Sequence, residues 1–350
     1  MGKKKVIVIL TPGFARDEQD TTCIPFLQQY IKTLSDMQPD IELRVIAFQY
    51  PFNRGCYNWK GINIYSAGGN SALYNRLFIW MRVFWKLNQI KKQNDIAVIH
   101  SFWLTECTLI GQCFARMNKI KHVAYAIGQD VLKNNKYLKL LNLSNMNVVA
   151  TSKDIAKRYH ELTKCNVIKV IPSGIDVNRV TMLNEQRTID ILGAGALTPL
   201  KNYLLFVEIV GALKNEFKTI KASIIGKGEQ ETLLREKIRK ERLEDNVQLI
   251  GELSHPDVFS YMCKSKILLH TSSYEGQSTV IMEALAMGVT VVCFDVGRVH
   301  EAEKIIVCND KKEMIMRLRL LLNSNPDYKP ILHRTGNDMV RDFIKVYDEL

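Results

Sequence analysis

The stretch KILLHTSSYEGQSTVIMEALAMGVTVVCFD, Lys266–Asp295, carries the strongest structural signal in the chain. Two short apolar runs, Lys266–Thr271 and Thr290–Asp295, flank a polar loop and an apolar segment that ends near Gly288. Apolar runs without polar alternation are typical of parallel strands that are covered on both faces. The order strand, loop, helix, glycine and strand therefore predicts a βαβ unit.

The same alternation extends over the whole chain. Further predicted strands are Lys5–Leu10, Leu43–Phe48, Ile96–His100, His122–Ile127, Asn147–Thr151, Val167–Ile171, Asp190–Gly195, Lys221–Gly226 and Asn246–Gly251. A length of 350 residues favours two domains over one core. The sequence thus predicts the α/β class, with two tandem Rossmann-like, doubly wound domains facing a cleft.

A break in the pattern gives the domain boundaries. Ile171–Thr188 contains Pro, Ser, Gly and Asp and then polar residues without a period, which is typical of a linker. We predict an N-terminal domain over 1–171, a linker over 172–188 and a C-terminal domain over 189–335. A final helix over 336–350 is expected to pack back on the N-terminal domain.

The charge and the cysteines limit the possible functions. The chain has 48 basic and 36 acidic residues, a net charge of +12, which favours an anionic partner such as nucleic acid, a membrane surface or a phosphorylated substrate. Eight scattered cysteines without a C-x-x-C pair indicate a reduced, cytosolic protein. No metal-ligand pattern, no G-x-G-x-x-G after the first strand and no nucleic-acid-binding motif is present.

The loop before the predicted helix is the main candidate site. We expect Ser278 or Thr279 to cap this helix, and Gly276 to let a ligand approach the backbone. Glu283 is expected in the first helical turn, where free N–H groups favour an anion. The alternative is an ordinary loop with a glutamate favourably placed at a helix start.

Glu275 and Glu283, followed by EALAMGVTVV, resemble the E-x7-E signature of the family 4 glycosyltransferases, which are retaining enzymes of the GT-B fold. Four other segments resemble family counterparts in the same order: Val98–Phe102, Val170–Asp176, Ile191–Asn202 and Ile224–Gln230. The resemblance thus covers nearly the whole chain. It implies an acceptor-binding N-terminal domain and a C-terminal domain that binds a nucleotide sugar.

The resemblance also implies roles for individual residues. Lys201 would contact the donor diphosphate, Glu283 would bind the ribose hydroxyls, and Glu275 would lie near the transferred sugar. We therefore expect Glu275 and Lys201 to be the catalytic residues. The remaining expected donor-binding residues are Gly13, Gly195, Lys227, Gly276, Gln277, Ser278, Thr279 and Val280. A surface lysine and a plain Pro-Gly turn are the structural alternatives for Lys201 and Gly13.

Two positions depart from the family pattern. Ala196 stands where the family has an arginine, so Lys227 is a candidate to share the diphosphate charge. Ile127 stands where the family commonly has a histidine. The expected acceptor-side candidates are His100, Gln129 and Asp130, although a lone histidine at a strand end is also common as a structural residue.

The segment Ser71–Lys92 predicts an unusual helix. Asn75, Arg82, Lys86 and Gln89 form one narrow polar strip, and most other positions are apolar or aromatic. Such a helix is either buried or lies in a bilayer interface with its basic strip at the headgroups. Burial is the preferred interpretation, and the basic N-terminus with the net charge keeps the membrane alternative open.

The resemblance implies a retaining transferase of the type found in bacterial polysaccharide and glycolipid synthesis, such as lipopolysaccharide or capsule. It would transfer a hexose-type sugar from a nucleoside diphosphate to a glycan or lipid-linked hydroxyl, without a cofactor or metal. We expect a cytoplasmic protein, peripheral at the inner face of the cell membrane, that binds no nucleic acid. A GT-B epimerase or phosphorylase and a non-catalytic peripheral membrane protein are the alternatives.

Overall fold

The computed structural model describes residues 4–70, 75–175, 186–297, 303–324 and 326–350, and the chain divides into two compact units. The first unit is Met1–Gly174 together with Arg334–Leu350, and the second is Ile175–His333. Residues 176–185, which form most of the linker predicted over 172–188, lie outside the described part.

The first unit is built on an eight-stranded sheet with the order β3-β4-β2-β1-β5-β6-β7-β8. All neighbouring strands are parallel except β3 and β4. The strands are β1 (Lys5–Gly13), β2 (Glu42–Tyr50), β3 (Gly55–Trp59), β4 (Ile62–Ser66), β5 (Asp95–Phe102), β6 (Lys121–Ala126), β7 (Asn147–Ala150) and β8 (Lys169–Val170).

The antiparallel hairpin β3–β4 has no counterpart among the predicted strands. Its strands are short and partly polar, so they lack the continuous apolar run that marks the buried parallel strands. Lys60 and Gly61, both with positive φ, form its two-residue turn. This Lys-Gly pair is the local signal that identifies the hairpin.

The α-helices that cover this sheet in the described ranges are α1 (Pro25–Met37), α2 (Arg76–Gln93), α3 (Glu106–Asn118), α4 (Lys153–Thr163) and α10 (Gly336–Glu349). Helix α10 begins with a capping box, in which Thr335 and Asp338 satisfy each other's backbone N–H groups. Its Phe343 packs on Tyr30 and Tyr125, with ring centres 5.4 and 5.1 Å apart. The last helix of the chain therefore completes the core of the first unit.

Helix α2 corrects the preferred interpretation of Ser71–Lys92 as a buried helix; residues 71–74 lie outside the described part. Only one face packs on the sheet, through Ile79, Val83, Leu87 and Ile90. Exposed on the other face, at 53 to 66%, are Leu77, Phe78, Met81 and Trp85.

The predicted basic strip of α2 is not the solvent face either. The Arg82 guanidinium donates to the carbonyl of Ala67 at 3.1 Å, and the Lys86 ammonium lies 5.1 Å from the centre of the Tyr65 ring. These cations are thus held against the strand edge. The helical period of the sequence therefore predicts which residues of α2 share the polar strip, but it does not predict that the cations of this strip lie against the strand edge instead of pointing into solvent.

The second unit has a six-stranded parallel sheet with the order β11-β10-β9-β12-β13-β14. The chain order reverses between β9 and β12. The elements are β9 (Ile189–Ala194), α5 (Tyr203–Lys214), β10 (Ala222–Ile225), α6 (Glu231–Lys240), β11 (Val247–Gly251), α7 (His255–Cys263), β12 (Ser265–His270), α8 (Thr279–Ala286), β13 (Thr290–Phe294), β14 (Ile305–Cys308) and α9 (Lys311–Leu322).

Both sheets carry apolar cores on their two faces, as the continuous apolar runs predict. The cysteines are all free thiols. Within the described ranges, none of the helices has the length and apolarity needed to cross a bilayer. The same ranges contain no group of three or more His, Cys, Asp or Glu side chains placed to hold a metal ion.

Candidate functional site

Two loops of the second unit meet at the carboxyl edge of its sheet, between β9 and β12. The loop after β9 contains a short 3-10 helix, Pro199–Lys201. Its backbone is bound to the loop after β12, because Thr271 Oγ1 donates to the Lys201 carbonyl at 2.9 Å and the Ser273 N–H donates to the Leu200 carbonyl at 2.8 Å. Open α/β sheets bind ligands at the point where the strand order reverses, which is the position of these loops.

Lys201 and Glu275 form an ion pair at this point. The Lys201 ammonium donates to Glu275 Oε1 at 2.5 Å, and the side chains are 24% and 13% exposed. The two residues are 74 positions apart in sequence, so the pair depends on the pairing of β9 with β12. The structure therefore brings together the two residues that the sequence analysis expects to be catalytic.

His270, the last residue of β12, holds the same carboxylate from the inside. Its Nε2 lies 3.2 Å from Glu275 Oε1 and 3.0 and 3.2 Å from the hydroxyls of Ser278 and Ser272. Burial lowers the pKa of His270, so the ring is neutral at pH 7. Because an ionised carboxylate only accepts, the geometry assigns the ring proton to Nε2.

The carboxylate of Glu275 is strongly stabilised in its charged form. Burial by itself raises the pKa of this group, but the His270 hydrogen bond and the Lys201 charge outweigh burial and lower the pKa from 4.5 to about 2. Glu275 is therefore an anion at neutral pH. An anion with so low a pKa is unsuited to donate or accept a proton near pH 7.

The start of α8 differs from the sequence prediction in two details. The helix begins at Thr279 after Ser278, whose hydroxyl contacts His270 instead of capping the helix, so the expected side-chain cap is wrong. Glu283 is the fifth helical residue and lies in the second turn, not the first. Since helical side chains tilt toward the N-terminus, its carboxylate still extends toward the start of α8.

Glu283 is held by a residue of another helix. His255 Nε2 lies 2.8 Å from Glu283 Oε1, and both side chains are mostly buried. His255 is the first residue of α7, and its ring packs edge-on against Phe259 with centres 4.9 Å apart. Each glutamate of the E-x7-E pattern thus has its own histidine partner.

The glycine loops after β9 and β10 lie directly against each other. Gly226 has φ +144°, and a Cβ there would lie 1.9 Å from the Gly195 carbonyl oxygen. The Leu197 N–H donates to the carbonyl of Lys227 at 3.0 Å. The exposed Lys227 side chain therefore extends from a loop that is fixed beside Ala196, where the family has its arginine.

The other expected donor-binding residues lie around the same edge. Gly195, with φ +147°, leaves room for Lys201, whose Nζ would be 3.7 Å from a Cβ at this glycine. The loop and helix start between Glu275 and Glu283 contain Gly276, Gln277, Thr279 and Val280. The second unit thus holds all of its expected donor residues along one edge.

In the first unit, His100 is wrong as an acceptor-side candidate. Strand β5 continues to Phe102, so His100 lies within the strand, fully buried, with Nδ1 2.7 Å from the hydroxyl of Tyr347. Burial holds the pKa of this imidazole well below its usual value. His100 is a core residue beneath α10, because the last helix of the chain covers it.

Asp130 is also wrong as an acceptor-side candidate. It is 4% exposed, and its carboxylate accepts from the backbone N–H groups of Leu104, Ile127 and Gly128 at 2.9, 3.2 and 2.6 Å. Asp130 therefore fixes the backbone at the end of β6, including the position where the family has its histidine. Gln129 is exposed at the start of a short 3-10 helix and remains a candidate.

Gly13 is the last residue of β1, so the structural alternative of a plain Pro-Gly turn is wrong. A Cβ at Gly13 would make ordinary contacts, 3.4 Å from Tyr50 Cβ and 3.5 Å from Cys23 Sγ. The fold itself does not require glycine at this position. Its expected contact with donor phosphate stays a prediction.

Sequence reasoning missed His255, His270 and Gly297. His270 ends a predicted strand just before the site loop, and this position was a usable signal. Gly297, with φ +66°, lies against Glu275, where a Cβ would come within 3.1 Å of Glu275 Cβ. His255 precedes Glu283 by 28 positions on a separate helix, so no local pattern could identify it.

The second unit and the whole fold resemble known proteins. Residues 178–331 match the family described as "Glycosyl transferases group 1". An uncharacterised glycosyltransferase of Methanocaldococcus jannaschii is 26% identical over 286 residues, which cover 75% of this chain and 78% of that protein. One polypeptide of the human phosphatidylinositol N-acetylglucosaminyltransferase is 29% identical over 147 residues, 41% of this chain and 30% of that protein.

Two solved structures resemble the fold over almost the full length. Sucrose-phosphate synthase from Thermosynechococcus elongatus has a TM-score of 0.76 at 14% identity, covering 99% of this chain and 97% of that chain. Anabaena HepE in complex with UDP and glucose has a TM-score of 0.71 at 14% identity, covering 99% of this chain and all of that chain. At these identities the likeness concerns the fold.

Proposed function

Because residues 178–331 match the group 1 glycosyl transferases and the chain has the GT-B fold, we propose that it transfers a hexose-type sugar from a nucleoside diphosphate to a hydroxyl group. The observation that carries this proposal is the Lys201–Glu275 pair beside the start of α8, at the point where the strand order reverses. The pair joins a cation suited to a diphosphate and an anion suited to sugar hydroxyls.

The proposed donor lies along the edge of the second unit. Its diphosphate binds Lys201, Lys227 and the N–H groups at the start of α8, and its ribose binds Glu283. Glu275 and the adjoining backbone of Gly276 bind the transferred sugar. When the donor binds, its diphosphate draws the Lys201 ammonium toward itself. The diphosphate then replaces Glu275 as the anionic partner of this lysine.

We propose that the transfer proceeds with retention and without a metal. The bond from the anomeric carbon to the diphosphate oxygen breaks as the acceptor oxygen bonds to the same face of the sugar. The acceptor proton passes to the departing diphosphate, whose negative charge Lys201 stabilises. The low pKa of Glu275, about 2, supports an electrostatic role for this carboxylate in place of a proton-transfer role.

The acceptor in this proposal is a glycan or a lipid-linked sugar of bacterial polysaccharide or glycolipid synthesis. The names of two relatives support it: one concerns phosphatidylinositol, and a Campylobacter jejuni relative, 34% identical over 105 residues, concerns a diphospho-undecaprenol sugar. Gln129 is the remaining acceptor-side candidate.

We further propose that the protein works in the cytoplasm at the inner membrane face, with α2 of the first unit against anionic lipid. The exposed apolar residues of α2 support this, and Tyr137 joins the start of the helix to a basic segment by contacts with Arg76 and Trp80. That segment exposes Lys133, Lys136 and Lys139. Helix α2 and residues 131–147 together contain eight cations and no carboxylate side chain.

The test of the transferase proposal begins with nucleotide binding. A thermal-shift panel of nucleotide sugars should reveal the donor, because a bound ligand raises the apparent stability. With that donor, Glu283→Ala should weaken nucleoside diphosphate binding, while Glu275→Ala should spare it and reduce transfer. Equal loss of nucleotide affinity in both variants would contradict the assigned roles.

Product analysis with labelled donor separates the alternatives. Label on an acceptor supports the transferase, whereas an isomerised donor or a sugar phosphate would indicate the epimerase or phosphorylase. For the membrane proposal, Phe78→Ser with Trp85→Ser should reduce sedimentation with phosphatidylglycerol vesicles. The matched control is Met316→Ser with Leu320→Ser on α9, which should sediment like the unaltered protein.

A further inference from the structure

We propose that His255 is a positioning residue for the donor nucleotide, because it holds the Glu283 carboxylate in the orientation that ribose hydroxyls require. This inference rests on the proposed function of Glu283 and adds a residue to it. His255 acts through Glu283, so its effect falls on donor affinity and leaves the transfer step unchanged.

The contact between the two residues is short and protected from solvent. His255 Nε2 and Glu283 Oε1 are 2.8 Å apart, and the side chains are 17% and 12% exposed. A mostly buried hydrogen bond to a carboxylate is stronger than an exposed one, because water competes less for both groups. The bond therefore restricts the rotation of the glutamate side chain.

His255 itself is held firmly. Ser254 caps α7 by accepting the Asp257 N–H at 3.3 Å, which fixes the backbone at His255. The ring packs edge-on against Phe259, which is 2% exposed. Because the start of α7 and Phe259 hold the His255 ring in place, the ring in turn restricts the orientation of the Glu283 carboxylate.

Glu283 keeps acceptor capacity for a ligand. A carboxylate has two oxygens with about four acceptor positions, and the His255 bond occupies one of them. A second hydrogen bond to a ribose hydroxyl is therefore compatible with the first. Without His255, the ligand would have to immobilise the glutamate itself, which weakens binding roughly 3- to 10-fold.

Two substitutions separate the hydrogen bond from the packing. His255→Phe keeps a ring against Phe259 but has no donor, whereas His255→Gln keeps an N–H donor and gives up the ring. Calorimetry with the nucleoside diphosphate of the preferred donor should show a Kd weakened roughly 3- to 10-fold in His255→Phe and largely restored in His255→Gln. The kcat should stay unchanged while the donor KM rises.

A double-mutant cycle tests the route of the effect. Because His255 acts through Glu283, His255→Phe should cost no further affinity once Glu283→Ala is present. His333→Phe, at an exposed histidine of the same unit, is the matched control and should bind the nucleotide like the unaltered protein.

The outcomes distinguish this inference from the function on which it rests. If the unaltered protein binds no nucleoside diphosphate, the proposed function fails first. If it binds and His255→Phe binds equally well, or loses kcat at constant Kd, the positioning role is overturned. Equal losses in the Phe and Gln variants, or additive losses in the cycle, would show that His255 serves only the fold.

Discussion

The charged state of Glu275 gives a quantitative prediction for stability against pH. In the folded protein the His270 hydrogen bond and the Lys201 charge outweigh burial and lower the pKa of this carboxyl from 4.5 to about 2. A folded-state pKa below the unfolded value stabilises the protein at pH values above the unfolded pKa. This stabilisation is lost as the pH falls toward the folded pKa.

The size of the effect follows from the difference between the two pKa values. A fall of roughly 2.5 pH units corresponds to about 3 kcal/mol of stability when the carboxyl is fully ionised. By the same linkage relation, about 1 kcal/mol of this is lost at pH 4 and about 2 kcal/mol at pH 3. The side chain is only 13% exposed, so solvent screening reduces the figure little.

Urea unfolding of the unaltered protein and of Glu275→Gln measures this difference. The variant has no titrating group at position 275, so only the unaltered protein loses the stabilisation from this carboxyl. The difference in unfolding free energy between the two proteins should therefore shift by about 1 kcal/mol between pH 7 and pH 4, to the disadvantage of the unaltered protein. The matched control is Glu229→Gln, which removes an exposed carboxylate from the loop after β10 and measures the effect of the substitution itself.

A difference that stays constant for Glu275→Gln would refute the reasoning, because the carboxyl would then titrate alike in the folded and unfolded states. Lys201→Met supplies a second check. Without the cation, the pKa of Glu275 should rise, so the acid-dependent loss should be smaller in this variant than in the unaltered protein.

Three further predictions concern the loops of the same edge. Gly226→Ala should destabilise the protein by about 3 kcal/mol or more in urea unfolding, because its Cβ would lie 1.9 Å from the Gly195 carbonyl oxygen; Gly55→Ala, with open space, should be nearly neutral. Lys201→Met should weaken nucleoside diphosphate binding roughly 10- to 100-fold and spare the free nucleoside, and equal losses would contradict a phosphate contact. Ala196→Arg should tighten diphosphate binding by about 5-fold in calorimetry, and no gain would separate this loop from the phosphates.

The architecture could be predicted closely from the sequence. All of the strands inferred from apolar runs are present, and α8 ends before Gly288, which has φ +74° and lies against the Tyr328 carbonyl. These features depend on local properties, namely burial on both faces of a strand and the backbone freedom of glycine. The hairpin β3–β4 was missed because its strands are partly polar, and strand β14 was missed because its apolar run, Ile305–Cys308, is only four residues long.

The sequence identified the two glutamates and the lysine of the candidate site, but it did not identify the residues that they contact. Glu275, Glu283 and Lys201 follow strand ends or lie on the next helix, so the order of elements places them at one edge. The same rule predicted His100 at a strand end, but β5 continues to Phe102 and α10 covers the histidine. Burial of a strand end depends on which distant helix packs there, and no local pattern contains that information.

The sequence by itself thus determined the α/β class, the order of the elements except β3, β4 and β14, and the residue types at the carboxyl edge of the second unit. Only the tertiary structure decided the partners: Lys201 and His270 for Glu275, His255 for Glu283, and the backbone amides for Asp130. It also decided that α2 exposes an apolar face while Arg82 and Lys86 contact the end of β4 and the residue after it. Period and propensity act between neighbours in the chain, whereas burial and pairing depend on elements that are distant in sequence.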